Sequence, residues 1–390
     1  MAPTRDAYNR CGRRDEAKAR MEDKAIAGAQ SEKGGIAILS GVKKTYDGIN
    51  YAVKNLDLTI KRGEFLTLLG PSGSGKTTTL MMLAGFEDPT EGHIILNGRA
   101  IERVPPYRRN IGMVFQQYAL FPHMTAEENI AFPLRARHFP KAEIGERVRR
   151  SLDLVCLPDL GRRMPNELSG GQQQRIALAS AIVFGPEIVL MDEPLGALDK
   201  QLREQMQLEI RRLHRDLGVT VIYVTHDQSE ALTMSDRIAV FDKGAIQQLD
   251  LPAKIYESPR TTFVATFLGE NNLIPGRVVG PEGRFWRVAL ASGDIVAGVS
   301  DTPPEVGAMV LISIRPERLL VAEAAKALVN HFTGEVREAY YLGDHLRLRV
   351  ICFNDREITV KLPPRDTALP AVGDRISIGW APDHSRILPE

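Results

Sequence analysis

The stretch Gly70-Pro71-Ser72-Gly73-Ser74-Gly75-Lys76-Thr77 limits the possible folds of this chain more than any other. It carries the spacing G-x-x-x-x-G-K-[ST]. The apolar run Phe65-Leu66-Thr67-Leu68-Leu69 before it reads as a short buried strand. Thr78-Thr79-Leu80-Met81-Met82-Leu83-Ala84 after it reads as a helix ending near Gly85. Strand, glycine-rich loop and helix together make a phosphate cradle. Glycines let successive backbone N–H groups curl around an anion, and the new helix points its positive end at the same place. Lys76 is expected to reach the outer phosphates, and Thr77 to hold Mg²⁺ through its hydroxyl. The fold implied is α/β.

The length of 390 residues leaves room for two or three domains. A net charge of +1 gives no global field for nucleic acid. Cys11, Cys156 and Cys352 are scattered, which fits neither a disulfide framework nor metal-ligand spacing. No apolar stretch approaches the length of a membrane-spanning helix. Residues 1–33 hold 8 Lys/Arg and 6 Asp/Glu with no apolar segment, and read as a disordered extension.

Further along the chain, strand patterns recur at residues 36–39, 51–53 and 56–60, with Tyr46 in the turn between the first two. An aromatic there offers a flat face on which a purine can stack. The strand Ile111-Gly112-Met113-Val114-Phe115 ends in Gln116, whose amide oxygen can reach a metal or water. Residues 124–166 are mostly helical and interrupt the α/β pattern. Ser169-Gly170-Gly171-Gln172 then opens a second helix behind a good N-cap, so a second anion-seeking helix end follows. The apolar strand Ile188-Val189-Leu190-Met191 ends in Asp192-Glu193, where α/β sheets place ligands. Asp192 suits Mg²⁺, and Glu193 suits a general base acting on water. Ala197-Leu198-Asp199 begins a long amphipathic helix, and the next buried strand, residues 219–224, ends in Thr225-His226-Asp227. His226 can polarise a terminal phosphate or sense its loss.

After about residue 270 the pattern changes to short alternating strands separated by Gly, Pro and Asp turns. This predicts a small all-β barrel or sandwich. Residues 271–390 carry 14 Lys/Arg and 15 Asp/Glu, so this part has no basic field and is expected to bind protein or a small regulator.

In combination these motifs resemble the ATPase subunits of ATP-binding cassette (ABC) transporters over roughly residues 36–270. The resemblance implies a P-loop ATPase core with an inserted helical subdomain at about 124–180, a cassette over 34–270, and an OB-like TOBE-type regulatory domain over 271–390. It implies ATP and Mg²⁺ as ligands, and it assigns roles to individual residues. Tyr46 stacks on adenine, and Gly70, Pro71, Ser72, Gly73, Ser74, Gly75, Lys76, Thr77 and Thr78 hold the phosphates. Thr77, Gln116 and Asp192 serve the metal. Glu193, His226 and Gln116 are the catalytic set, and Ser169, Gly170, Gly171, Gln172 and Asp199 close over nucleotide held by a second subunit. One departure is Ser180, where many relatives carry arginine.

The family resemblance further implies a head-to-tail homodimer at the cytoplasmic face of the membrane. Its partners are two transmembrane permease subunits and an extracytoplasmic substrate-binding protein, with no nucleic acid. Residues 254–271 and the run Ser313-Ile314-Arg315-Pro316-Glu317 look most like the spermidine/putrescine importer branch. Importers of sugar, iron, sulfate or phosphonate share most of this architecture and remain alternatives. A non-transport cassette ATPase commonly adds a second cassette or a coiled-coil insert, and this sequence has neither. The loop holding Tyr118, Leu120 and Phe121 is expected to be an exposed contact for the membrane partner.

Overall fold

The computed structural model describes residues 35–364 and 370–390; the expected disordered extension over 1–33 lies outside them. Packing divides the chain into two units between Pro252 and Ala253.

In the first unit, β1 (Gly35–Thr45) and β2 (Tyr51–Lys61) precede β3 (Phe65–Leu69), which leads through the phosphate-type loop into α1 (Lys76–Ala84). β4 (Glu91–Leu96), β5 (Arg99–Ala100) and β6 (Ile111–Val114) follow, then α2 (Ala126–Ala136), α3 (Lys141–Leu154) and α4 (Gly170–Ile182). Alternation resumes with β7 (Ile188–Asp192), α5 (Lys200–Leu217), β8 (Thr220–Thr225) and α6 (Gln228–Met234), and the unit ends in β9 (Arg237–Asp242) and β10 (Ala245–Asp250).

Two sheets result. One is antiparallel, in the order β2-β1-β4-β5; the other has six strands in the order β10-β9-β3-β8-β7-β6. Within the second, β9, β3, β8, β7 and β6 run parallel, so their carboxyl ends share one edge. Every residue of β3, β7 and β8 is buried, which is why these strands read as continuous apolar runs instead of alternating. Helix α4 joins two cores. Ala177, Leu178 and Ala181 pack with the sheet strands, while Ile176 and Ala179 pack with Ile130, Leu134, Val148 and Leu152 of the inserted helices. The Ser180 hydroxyl donates to the Asn129 carbonyl of α2 at 3.2 Å, so serine at this position ties the two helices directly.

The second unit takes in α7 (Pro252–Glu257) from its second residue on, then α8 (Thr262–Phe267), β11 (Asn272–Glu282), β12 (Phe285–Leu290), β13 (Ile295–Gly298) and β14 (Met309–Ile314). β15 (Leu320–Val321), α9 (Glu323–Lys326), β16 (Asn330–Tyr341), β17 (Leu346–Cys352), β18 (Arg356–Leu362), β19 (Arg375–Trp380) and β20 (Ser385–Pro389) complete it. The strands form two five-stranded antiparallel sheets, β13-β12-β11-β14-β20 and β15-β19-β16-β17-β18. Both sheets contribute to a single core around Val288, Ile312, Leu348, Val350 and Trp380.

Two buried asparagines stitch the sheets together. Asn272 exchanges two bonds of 2.8 Å with the backbone of Thr359, and Asn330 does the same with Ala297 at 2.8 and 2.9 Å. The short helices of this unit are held to its strands by Arg315. Its buried guanidinium donates to the carbonyls of Tyr256, Ala265, Leu268 and Glu270, which binds the short helices to the β-rich unit.

Candidate active site

The parallel edge collects the loops after β3, β6, β7 and β8, and with them Lys76, Gln116, Asp192–Glu193 and His226. The loop after β3 turns twice through left-handed backbone, at Gly73 (φ 77°) and Gly75 (φ 100°). Gly75 is the residue before α1, so the helix's free N–H groups open directly into the loop. The loop is clamped from behind: the Gly244 N–H donates to the Ser74 carbonyl at 3.1 Å, and Lys54 N–H donates to the Gly244 carbonyl at 2.7 Å.

Lys76 is 4% exposed and donates to the carbonyls of Gly70 and Pro71, both at 2.8 Å. Burial pushes its ammonium pKa down, while Glu193 and Asp192 oppose the shift. A desolvated cation beside a ring of backbone groups is a strong anion ligand, because the anion replaces the hydration the cation has lost. Thr77 Oγ1 donates to Asp192 Oδ1 at 3.1 Å. Burial raises the Asp192 carboxyl above its ordinary value, and the Thr77 hydrogen bond works against that.

Glu193 follows β7 with φ 44°, a left-handed conformation that costs a non-glycine residue of order 1–3 kcal/mol. Its backbone N–H bonds Val224 O at 3.0 Å, which fixes the turn against β8. The side chain is thereby aimed at the next loop, and Glu193 Oε2 lies 3.1 Å from His226 Nδ1. A carboxylate this close to an imidazole can accept a proton while the imidazole holds its orientation.

The remaining predicted residues occupy two other places. Tyr46 is 64% exposed just after β1, with the Lys44 ammonium 4.9 Å from its ring centroid. Ser169 caps α4 reciprocally with Gln172 (Ser169 N–H to Gln172 Oε1 at 2.9 Å), and Asp199 caps α5 by accepting from Leu202 N–H at 3.0 Å. Among the described residues no hydrogen bond joins either cap to the loop at 70–77. The structure joins Thr77 to Asp192 and Glu193 to His226, with both carboxylates acting on the Lys76 charge, whereas Ser169 with Gln172 and Asp199 cap helices of their own. Gln116 is exposed in the turn after β6.

Sequence reasoning missed Asp47. Its Oδ1 accepts from the N–H groups of Asn50 (2.7 Å) and Ile49 (2.9 Å), which hold its carboxyl well below the usual range and fold the turn that presents Tyr46. The signal was legible in Tyr46-Asp47-Gly48, because an Asp that bonds backbone two residues on makes such turns. The expected exposed contact at residues 118–121 holds only in part. Tyr118 and Leu120 are half-buried against the cores, because Tyr118 and Ala119 turn through left-handed backbone and fold the loop inward. Phe121 stays 36% exposed and packs on Phe132, 41% exposed, at 4.6 Å between rings.

Family descriptions for "ABC transporter" and "TOBE domain" match residues 53–196 and 312–388. The chain is 48% identical over 358 residues to the spermidine/putrescine import ATP-binding protein PotA of Thermobifida fusca, covering 90% of this chain and 93% of that protein. The PotA of Rubrobacter xylanophilus is 47% identical, covering 93% and 96% of the two chains. Among solved structures, the ATP-binding cassette MJ0796, dimeric in a post-hydrolysis state with ADP and Pi, matches with TM-score 0.51 and 36% identity over 55% of this chain and 98% of its own. The cassette CbiO1 of Clostridium perfringens matches with TM-score 0.53 and 26% identity over 57% and 90%. With identity of this order across nearly the whole length, and a parallel-sheet edge that gathers the phosphate loop, the carboxylate pair and the histidine, the chain belongs to the ATP-binding proteins of ABC transporters.

Proposed function

We propose that this chain hydrolyses ATP to drive import of a polyamine, spermidine or putrescine, through a membrane permease. The observation that carries the hydrolysis is the pairing of Glu193 with His226 directly beside the Thr77–Asp192 pair, Asp192 and Glu193 being consecutive at the end of β7, on the edge where the phosphate loop opens. The relatives' name, shared at 45–48% identity, supports the polyamine.

The residues divide the work. Tyr46 stacks on adenine. The backbone of residues 70–75, with Lys76 and Thr78, holds the phosphate oxygens. Glu193 accepts a proton from the attacking water as the new oxygen–phosphorus bond forms at the γ-phosphate and the bridging bond to ADP breaks. His226 orients Glu193 and the γ-phosphate, and Gln116 reports on the site to the membrane partner. Hard oxygen donors at Thr77 and Asp192 suit Mg²⁺, and no group of three acidic, His or Cys side chains competes among the described residues. Mg²⁺ held by Thr77 and Asp192, with Gln116 at hand, neutralises phosphate charge when bound.

Ser169, Gly170, Gly171, Gln172 and Asp199 form the face that a second copy presents to ATP, which gives the second anion-seeking helix end an occupant. The functional assembly is then a homodimer on two permease subunits at the cytoplasmic face of the membrane, with an external substrate-binding protein. Among the described residues no helix is long and apolar enough to cross a membrane, so the energy leaves through a surface contact. The exposed Phe121–Phe132 pair is the contact favoured here.

Two measurements test this reading. Purified chain should release phosphate from ATP with Mg²⁺, and Glu193→Gln should bind ATP, stop turnover and accumulate as an ATP-bound dimer on size exclusion. Cells deleted for the chain should lose uptake of labelled spermidine and regain it on complementation. Normal turnover by Glu193→Gln would sink the catalytic assignment, and restored uptake of a different solute alone would replace the polyamine.

A further inference from the structure

The contact between Glu193 and His226 spans two loops, one after β7 and one after β8. A single long side chain braces the same two loops from below. Arg203, on the first turn of α5, donates to the Leu198 carbonyl at 3.0 Å and to Asp227 Oδ2 at 3.1 Å. Leu198 closes the loop that begins at Glu193, and Asp227 is the residue after His226. Both ends of the brace are themselves fixed. Gly196 N–H donates to Glu193 O and Leu198 N–H to Leu195 O, each at 3.2 Å, so the Leu198 carbonyl is tied to Glu193 through two consecutive turns. Asp227 caps α6 through Ser229 and Glu230 N–H groups. The Arg203 Nε also faces Glu230 Oε1 at 3.9 Å, and Glu230, 2% exposed, takes the hydroxyls of Tyr223 and Thr225 at 2.8 and 2.6 Å.

We infer that Arg203 is a positioning residue that sets the register of Glu193 against His226 by bracing the loop after β7 to the loop after β8. This rests on the reading of Glu193 and His226 as the hydrolytic pair. A planar guanidinium is suited to this task, because its fork reaches two acceptors at fixed separation, which a lysine ammonium cannot reproduce. The Arg203 backbone N–H also bonds Asp199 O at 2.9 Å, so the turn capped by Asp199 is hydrogen-bonded to the residue that braces the loop bearing His226.

The test uses the full-length purified chain as wild type, Arg203→Met, Arg203→Lys, Asp227→Asn and the double variant Arg203→Met/Asp227→Asn. Arg203→Met should lower kcat about 10- to 100-fold, the scale of a misplacement near one ångström. The ATP dissociation constant, read with a fluorescent analogue, should stay within about twofold, because no phosphate or base contact is touched. Asp227→Asn keeps the helix cap and should lose kcat comparably, and the double variant should be no worse than the weaker single variant, as one shared contact requires. Arg203→Lys should fall between wild type and Arg203→Met.

Wild-type kcat in Arg203→Met, losses that multiply in the double variant, or a loss confined to ATP affinity would each overturn the inference. Should Arg203→Met fail to fold, Arg203→Lys and Asp227→Asn carry the same comparison. The two readings fail differently. A wild-type chain that turns over, is stopped by Glu193→Gln and is indifferent to Arg203 substitution sinks only the brace. A Glu193→Gln variant that turns over normally sinks the hydrolytic pair itself.

Discussion

A methyl group added at Gly75 should cost far more than one added at Gly73, although both lie in the same loop with left-handed backbone. At Gly73 (φ 77°) an added Cβ meets nothing within 4 Å, so Gly73→Ala carries only the conformational penalty, about 1–2 kcal/mol. At Gly75 (φ 100°) the added Cβ would stand 2.4 Å from the Ala52 carbonyl oxygen and 3.4 Å from both Gly244 Cα and Val53. The nearest obstacle is strand backbone, which cannot rotate away. Forcing it aside adds about 1–3 kcal/mol, so Gly75→Ala should lose about 2–5 kcal/mol altogether. For a unit of this size the gap between the two variants corresponds to roughly 2–12 °C in melting temperature. Thermal and urea unfolding of the two variants without nucleotide would measure it. Equal melting temperatures would show that the loop relaxes freely and that the Ala52 and Gly244 backbone packed against Gly75 does not constrain it.

Three further outcomes follow from particular groups. Lys76→Ala should abolish productive ATP binding, since the loop loses its buried cation; hydrolysis at the wild-type rate would remove Lys76 from the phosphate site. Burial pushes the Cys352 thiol up to about 12, so it should resist iodoacetamide at pH 8 in the folded chain while exposed Cys156 reacts; mass spectrometry of the alkylated chain reads both. Tyr256 is raised to about 12 by burial and by its hydrogen bond to Glu317. Its neutral form therefore stabilises the second unit below about pH 10, and that contribution disappears as pH climbs towards 12. Tyr256→Phe should flatten the loss of stability over this window, and an unchanged profile would assign the alkaline unfolding to other groups.

The parts of this protein that could be read in advance are those where local chemistry and the sheet require the same residue. Gly73, Gly75 and Lys76 are fixed by the loop's own backbone, and the buried strands β3, β7 and β8 announce themselves as apolar runs ending in polar residues. Residues acting across long separations could not be read. Nothing near Arg315 in sequence indicates that its guanidinium will cap carbonyls some 45–59 positions earlier and so tie residues 256–270 to the β-rich unit. Tyr118 and Leu120 look like an exposed apolar patch because sequence cannot show that two consecutive residues will adopt positive φ and fold the loop onto α4 and its neighbours.

Arg203 combines both cases and shows why the site works as one object. Its position one turn into an amphipathic helix looks like an ordinary solvated charge, and the side chain is 29% exposed. Its importance arises only because β7 and β8 are neighbours running parallel, which sets the loops after them side by side at one edge. A parallel sheet gives each strand a separate loop at that edge, and nothing in the sheet's own hydrogen bonding fixes one loop against the next. The hydrolysis proposed for Glu193 and His226 therefore demands ties beyond the regular β7–β8 ladder. The backbone bond from Glu193 to Val224 supplies the first tie, and the Leu198–Arg203–Asp227 contacts supply the second. The strained φ of 44° at Glu193 is held by the first and aimed by the second, so loosening either should release the residue to ordinary backbone and separate Glu193 from His226.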